Sequence, residues 1–154
     1  MSRARWAIVL AVVVVLAPGC STTPPAGREE GVATLPYTFD VPSLVGKNVD
    51  EVRAALGPYA LADEEADPTE AQISAGVTEW SNSFTKDGEE LLVTYNVASR
   101  RVVDFFLSAR TQDKDLLLRT GNLDPSSPRY RLEYVENLED HSQITGVKVI
   151  PNAP

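Results

Sequence analysis

The fold is decided by three consecutive segments in the middle of the chain: VTEWSNSF (Val77–Phe84), LLVTYNV (Leu91–Val97) and RVVDFFLS (Arg101–Ser108). Each contains the branched and aromatic residues that favour extended backbone, and the second largely alternates apolar and polar positions. The connector Thr85–Gly88 ends in Asp-Gly, which suits the positive φ of a hairpin turn, and Asn96–Arg100 is a short polar bend. These segments predict three antiparallel strands.

Upstream, the segment Val41–Gly57 predicts one short amphipathic helix. Asn48 can cap it, Glu51 three residues later completes a capping box, and Gly57 with Pro58 ends it. A three-stranded sheet with a helix on its apolar face forms a core that two strands alone would not. The predicted fold class is therefore α+β, with short helices packed on one face of an antiparallel sheet of about three to five strands.

Downstream, the same kinds of element recur. Thr111–Thr120 has two aspartates near its start and is followed by Gly121, as expected of a helix. Tyr130–Val135 alternates apolar and charged residues, and Thr145–Ile150 offers a last strand. Neighbours in a sheet are set by long-range burial, so the sequence leaves open whether these two strands join the first three.

The N-terminal residues have the organisation of an export signal. Two arginines precede WAIVLAVVVVLA (Trp6–Ala17), which has no polar side chain. A membrane-spanning helix needs about 20 apolar residues, whereas a signal segment needs roughly 7–15, so this run fits the signal. Ser21–Leu35 follows, polar and with two adjacent prolines, which is typical of a flexible tether.

The junction Leu16–Cys20 resembles the lipobox of bacterial lipoproteins. Gly19 and Cys20 match the motif, while its leucine stands one place upstream and Pro18 intervenes. The resemblance implies that Cys20 is the lipidation site, that the Gly19–Cys20 bond is cleaved, and that acyl chains such as palmitate attach the protein to a membrane. Ordinary cleavage after Ala17-Pro18-Gly19 is the alternative, and both routes export the protein.

These features give a domain organisation in three parts: a signal peptide at 1–19, a lipidated N-terminus and tether at 20–36, and a single α+β domain at 37–154, with a core at about 41–108 and a C-terminal helix and strands at 111–150. In the lipoprotein family an Asp after the Cys retains many members at the inner membrane. Ser21 is not Asp, so the expected location is the cell envelope, at the outer membrane where the host has one.

Composition excludes several function classes. The 154 residues include 22 Asp and Glu against 14 Lys and Arg, for a net charge of −8, with one Cys and one His. A lone Cys cannot form an internal disulfide framework or a Cys-rich metal site. Nucleic acids require a basic surface, and nucleotides are usually held by glycine-rich phosphate loops; this sequence has neither. We expect no cofactor, no metal, no nucleic acid and no nucleotide.

Catalytic candidates are few. His141 lies in a polar loop beside two carboxylates, without a nucleophile in a recognisable motif to pair with it. The acidic residues Glu89, Glu90, Asp104, Asp113 and Asp115 are numerous, and such residues ordinarily solvate a surface. The acidic segment at 63–70 lacks the ordered spacing and glycine of a calcium-binding loop. The sequence therefore predicts a protein that is not an enzyme.

The order of elements resembles the BamE-like family of small outer-membrane lipoproteins, whose fold is shared in outline with secreted β-lactamase inhibitor proteins. The matching segments are Leu44–Pro58, Trp80, Lys86–Gly88, Leu91–Tyr95 and Val102–Phe106. In that family the module is noncatalytic and docks onto other envelope proteins. The resemblance implies a lipid-anchored envelope protein that acts through protein–protein contacts.

A second resemblance covers residues 41–57. Val41–Gly46, followed by Val49, Ala54 and Leu56, is similar to the opening of a PASTA module, an extracytoplasmic domain linked to cell-wall recognition. The stretch that closes such a module is absent after Leu61. The alternative function is thus a soluble PASTA-like or inhibitor-like module that binds a cell-wall ligand or another exported protein.

Three aromatic residues, Trp80, Tyr95 and Phe106, are the candidate partner-binding residues. Exposed aromatic side chains concentrate binding energy in interfaces, although the same residues also suit a core. The segment Val102–Leu107 is apolar on both sides of its strand. If one face of the sheet is uncovered, that apolar excess is what a partner would bury.

Overall fold

The structure is a computed structural model that describes residues 37–57 and 66–152, all within one compact unit, Thr34–Pro154. Its elements follow in chain order: α1 (Val41–Leu44), α2 (Val49–Leu56), α3 (Glu70–Ser74), β1 (Glu79–Lys86), β2 (Glu89–Asn96), β3 (Val102–Ser108), α4 (Lys114–Thr120), β4 (Tyr130–Glu136) and β5 (Ile144–Pro151). The predicted signal peptide, Gly19, Cys20 and the tether lie outside the described residues, as do residues 63–65 of the acidic segment.

The five strands form one antiparallel sheet in the order β1-β2-β3-β5-β4. The predicted turn joins β1 to β2: Asp87 and Gly88 have φ values of 51° and 80°, which tight hairpin turns require. β5 lies beside β3, with Phe105 opposite Val149, and β4 flanks β5. The two C-terminal strands therefore extend the first sheet, which the sequence left open, and the α+β class is confirmed.

The core includes rows of apolar side chains that cross the sheet. Phe84, Leu91 and Leu107 stand opposite one another on β1, β2 and β3, and Val147 continues the row on β5. All four are at most 1 % exposed, because alternate side chains of a strand point to the same face. Val52 of α2 belongs to the same buried cluster. Helix and sheet thus share one core.

Helix α2 confirms the predicted capping box. The Glu51 N–H donates to the Asn48 side chain and the Asn48 N–H donates to the Glu51 carboxylate, both at 2.9 Å. These two bonds satisfy N–H groups that lack a partner within the first turn of a helix. Gly57, with φ 64°, ends the helix as predicted.

The segment predicted to form one helix contains two. α1 precedes α2, and the chain turns between them at Gly46, whose φ is 90°. Four residues are too few to show a helical period, so the pattern did not distinguish α1. The predicted C-terminal helix is confirmed as α4, where the Asp113 side chain accepts hydrogen bonds from two backbone N–H groups.

Candidate functional site

A cleft opens where β3 and β5 separate. The two strands pair from Phe105 opposite Val149 to Ser108 opposite Gly146, yet β3 already begins at Val102 and β5 continues to Pro151. Pro151 has no N–H and so cannot donate to a longer ladder. The resulting β3–β5 cleft has a volume of about 650 Å³ and is lined by both strand ends, by the loop between α1 and α2, and by the turn between β2 and β3.

Backbone hydrogen bonds fix one wall of the cleft. Asn48 forms an isolated antiparallel bridge with Arg101, and the Val49 N–H donates to the Arg100 carbonyl oxygen at 3.0 Å. On the opposite side of the loop, the Arg129 guanidinium donates to the Val45 carbonyl oxygen at 2.9 Å. The loop between α1 and α2 is therefore held from two directions, and its side chains stand at defined positions around the cleft.

The cleft carries two cations that form no ion pair with any described residue. Among residues 37–57 and 66–152, neither the Lys47 ammonium nor the Arg101 guanidinium has a hydrogen-bond or ion-pair partner, and both residues line the cleft. Glu51 is the acidic residue in the lining, and its carboxylate already accepts the Asn48 N–H. In a chain with a net charge of −8, this cleft is locally positive.

A second polar cluster, which we call the Tyr95 network, comprises Asp50, Arg53, Asp67, Asn82, Tyr95 and Arg100. Tyr95 lies at its centre with 0 % exposure. Its hydroxyl donates to the Asp67 carboxylate at 2.7 Å, and the Arg53 guanidinium donates to Asn82 Oδ1 at 2.8 Å. Arg53 also donates to the Ala66 carbonyl oxygen. These bonds join α2, β1 and β2 to the chain around Asp67.

Arg100 closes the Tyr95 network from the turn between β2 and β3. Its guanidinium lies 2.6 Å from Asp50 and 3.1 Å from Asp67. The guanidinium carbons of Arg53 and Arg100 lie 5.6 and 5.7 Å from the centroid of the Tyr95 ring, within the range of cation–π attraction. Every buried side-chain polar atom in the described part of the chain has a hydrogen-bond partner.

Three titratable groups of the Tyr95 network have shifted pKa values, and each shift favours the protonation state that the group has at neutral pH. Hydrogen bonds from the Arg53 guanidinium hold the pKa of the Asp67 carboxyl well below its usual range, and Arg100 lowers the pKa of Asp50 in the same way. Burial, together with the adjacent Asp67 carboxylate, raises the pKa of Tyr95 to about 12. None of these three groups changes protonation near neutral pH, so the network fixes structure and does not transfer protons there.

The structure separates the three aromatic residues proposed from the sequence. Tyr95 is fully buried, with its hydroxyl in the Tyr95 network, so it offers no surface to a partner. Trp80 lies opposite Tyr95 on β1 and is half-buried. Phe106 is half-buried on the other face of the sheet, where its ring lies so close to Gly146 that a Cβ there would be 2.4 Å from it. The three residues do not form one surface.

The other candidates from the sequence have local structural roles. The Asp104 carboxylate lies 3.1 Å from the Lys148 ammonium, and the Glu90 carboxylate accepts hydrogen bonds from Ser83 and Ser108. His141 is exposed, with Nδ1 at 3.4 Å from a carboxylate oxygen of Glu136. Within the two described ranges, no group of three or more His, Cys, Asp or Glu side chains is placed to hold a metal ion.

The sequence analysis missed Lys47 and Arg101 as site residues. The available signal was weak: Arg100 and Arg101 are adjacent cations in an acidic chain, and Lys47 follows a glycine just before a helix cap. Nothing in that local pattern says that Lys47 and Arg101 would line one cleft, because their proximity depends on the bridge between Asn48 and β3.

Comparison with family models, curated proteins and solved structures finds no significant match to this chain. No helix in the described ranges is long and apolar enough to cross a membrane. Any account of function therefore starts from the β3–β5 cleft, the Tyr95 network and the sequence features of the N-terminus.

Proposed function

We propose that this protein is exported, anchored to a membrane of the cell envelope through acyl chains on Cys20, and acts without catalysis by binding an envelope protein. Export and anchoring are supported by the apolar run Trp6–Ala17 and by the placement of Cys20 three residues after its end. Two or three acyl chains hold a protein durably at a bilayer, since each buried CH₂ contributes about 0.8 kcal/mol.

The observation that carries the binding role is the β3–β5 cleft. Its volume of about 650 Å³ lies within the range typical of binding sites, and Lys47 and Arg101 lack partners within the described ranges. The charged groups of the Tyr95 network, by contrast, are already paired. Two charges without a partner in the described ranges that lie together in an open cleft are suited to recognition.

The proposal also includes two statements about the fold: that the helices pack on one face of the sheet, and that the domain is BamE-like. Residues of α1, α2 and α4 share the buried cluster with inward residues of β2 and β3, which favours helices packed on one face of the sheet. The BamE-like interpretation is supported by the succession of α2, the Asp-Gly hairpin and β3. β5 and β4 would then be an extension of that shared module.

Two measurements on protein from its own host test export and anchoring. Intact mass spectrometry should find a chain that begins at Cys20 and carries a diacylglyceryl group. In detergent phase separation the native protein should enter the detergent phase, and Cys20→Ser should enter the aqueous phase, whereas the matched control Ser21→Ala should behave as the native protein. An unmodified thiol, or native protein found only in buffer, would favour the soluble module.

Binding is tested separately by immobilising the protein and offering it solubilised envelope proteins or purified cell-wall polymer. Retention of an envelope protein that is lost with Arg101→Glu and kept with Arg110→Glu supports the proposal, because Arg101 lines the cleft and Arg110 does not. Retention of the polymer alone would support the PASTA-like alternative.

A further inference from the structure

We propose that the β3–β5 cleft binds a short, extended, acidic peptide segment, with carboxylates placed against Lys47 and Arg101. This deepens the proposed function by naming the chemistry of the partner. The inference rests on the proposed function in one respect, that the ligand is part of a protein. Its test uses purified components, so a failure of membrane anchoring and a failure of peptide binding are separate results.

The charges in the cleft favour an anionic ligand. Lys47 and Arg101 line one cleft and have no partner in the described ranges, so a carboxylate entering it displaces water and no existing ion pair. Glu51 is the one acidic residue in the lining as described, so two cations stand there against one carboxylate. Arginine also offers a planar fork of donors that matches a carboxylate.

The charge of the remaining surface favours a short segment over a long polyanion. The chain has a net charge of −8, so a nucleic acid or an anionic polymer would meet repulsion as soon as it extended beyond the cleft. A peptide with carboxylates at a few positions keeps its charge close to Lys47 and Arg101. The charges of the peptide and the protein are then complementary within the cleft, and the peptide places no further charge on the acidic surface outside it.

The composition of the lining favours a segment with alternating side chains. Val102, at the start of β3, borders the cleft ahead of the paired region, which starts at Phe105. In an extended peptide, alternate side chains point to opposite sides, so carboxylates at every second position can face the same two cations. Val102 and Pro151 supply apolar contacts in the lining, beside the two cations. A segment that alternates acidic and apolar residues fits both features.

Fluorescence anisotropy on the full chain, purified in mild detergent, tests the proposal with a labelled peptide of alternating glutamate and valine. A peptide with glutamine in place of glutamate is the matched ligand control. We expect saturable binding of the acidic peptide that weakens as salt rises, and binding of the glutamine peptide that is about tenfold weaker or absent.

Charge reversal locates the site. Arg101→Glu and Lys47→Glu should each weaken binding of the acidic peptide by about tenfold or more, whereas Arg110→Glu, which makes the same charge change on an exposed residue outside the cleft, should leave it within about twofold. The milder variants Arg101→Gln and Lys47→Gln, checked for native circular dichroism, provide the same comparison if a reversal unfolds the protein. Each of these two glutamine variants should also weaken binding of the acidic peptide.

Three results would overturn the proposal. The first is the absence of saturable binding of the acidic peptide. The second is an equal loss of affinity for that peptide in Arg101→Glu and Arg110→Glu. The third is displacement of the peptide by millimolar inorganic phosphate at constant ionic strength, which would assign the cleft to phosphate groups.

Discussion

Arg100 and Arg101 are neighbours in the chain, yet they belong to two regions with opposite properties. Arg100 has a left-handed backbone conformation, with φ 57°, and its guanidinium joins Asp50 and Asp67 in the Tyr95 network. Arg101 turns to the β3–β5 cleft, where it has no partner within the described residues. An arginine side chain thus forms structural ion pairs at position 100 and is available to a ligand at position 101.

The difference shows that local pairing, more than charge count, decides what a charged residue does. In the Tyr95 network each charge is compensated, so the interactions contribute to the free energy of unfolding and leave little for a ligand. In the cleft the cations contribute little to folding and keep their full potential for binding.

Removal of Arg53 should be the most damaging change in the Tyr95 network. Arg53→Ala leaves Asn82 Oδ1, which is in a fully buried residue, without its guanidinium partner, and removes one of the two guanidinium partners of Asp67. We expect a loss of about 3 kcal/mol in the free energy of unfolding, measured by urea denaturation. Arg110→Ala is the control and should change it by less than about 0.5 kcal/mol. Similar losses for the two variants would remove the contrast between paired and free cations.

The neighbouring arginines provide the most direct comparison. Arg100→Ala should lower the free energy of unfolding by about 1 kcal/mol, because two partly exposed ion pairs are lost. Arg101→Ala should leave it unchanged within about 0.3 kcal/mol, since only the backbone of Arg101 has a structural role, in its bridge with Asn48. Equal effects of the two substitutions in urea denaturation would contradict the assignment of the residues to different regions.

Acid should weaken the network through Asp67. Its pKa is lowered by folding from an ordinary value of 3.8, so its contribution to stability is full above that value and is lost as the pH falls below it. Between about pH 4 and pH 2 the free energy of unfolding of the native protein should therefore fall more steeply than that of Asp67→Asn. Asp87→Asn, in the exposed β-turn, is the matched control and should follow the native protein. Parallel curves for the native protein and Asp67→Asn would show that Asp67 contributes nothing.

Local signals were sufficient for much of the fold. Asn48 and Glu51 predict α2 because a capping box is complete within four residues, and Asp87-Gly88 predicts the hairpin because the turn itself requires positive φ. The strand order was not accessible in this way. The pairing of Phe105 with Val149 joins segments more than forty residues apart in the chain, and only burial against the rest of the core selects it.

The sites were harder to predict than the fold. Tyr95 was considered for a binding surface because an aromatic residue in a strand suits either an interface or a core. Its burial follows from Arg53 and Asp67, which approach it from distant parts of the chain. Lys47 and Arg101 show the reverse case: in the sequence neither differs from an ordinary surface cation, and only the folded chain brings both into the lining of one cleft.

The position of β5 also has a consequence for biosynthesis. Of the strands in the sheet, β5 (Ile144–Pro151) is synthesised last, yet it lies between β3 and β4, and β4 is joined to the sheet through it. A nascent chain can form the β1-β2-β3 meander early, but it keeps one edge of β3 open and β4 without a strand partner until β5 has been made. Truncation before residue 144 would therefore remove the pairing of two strands and leave a template for aggregation.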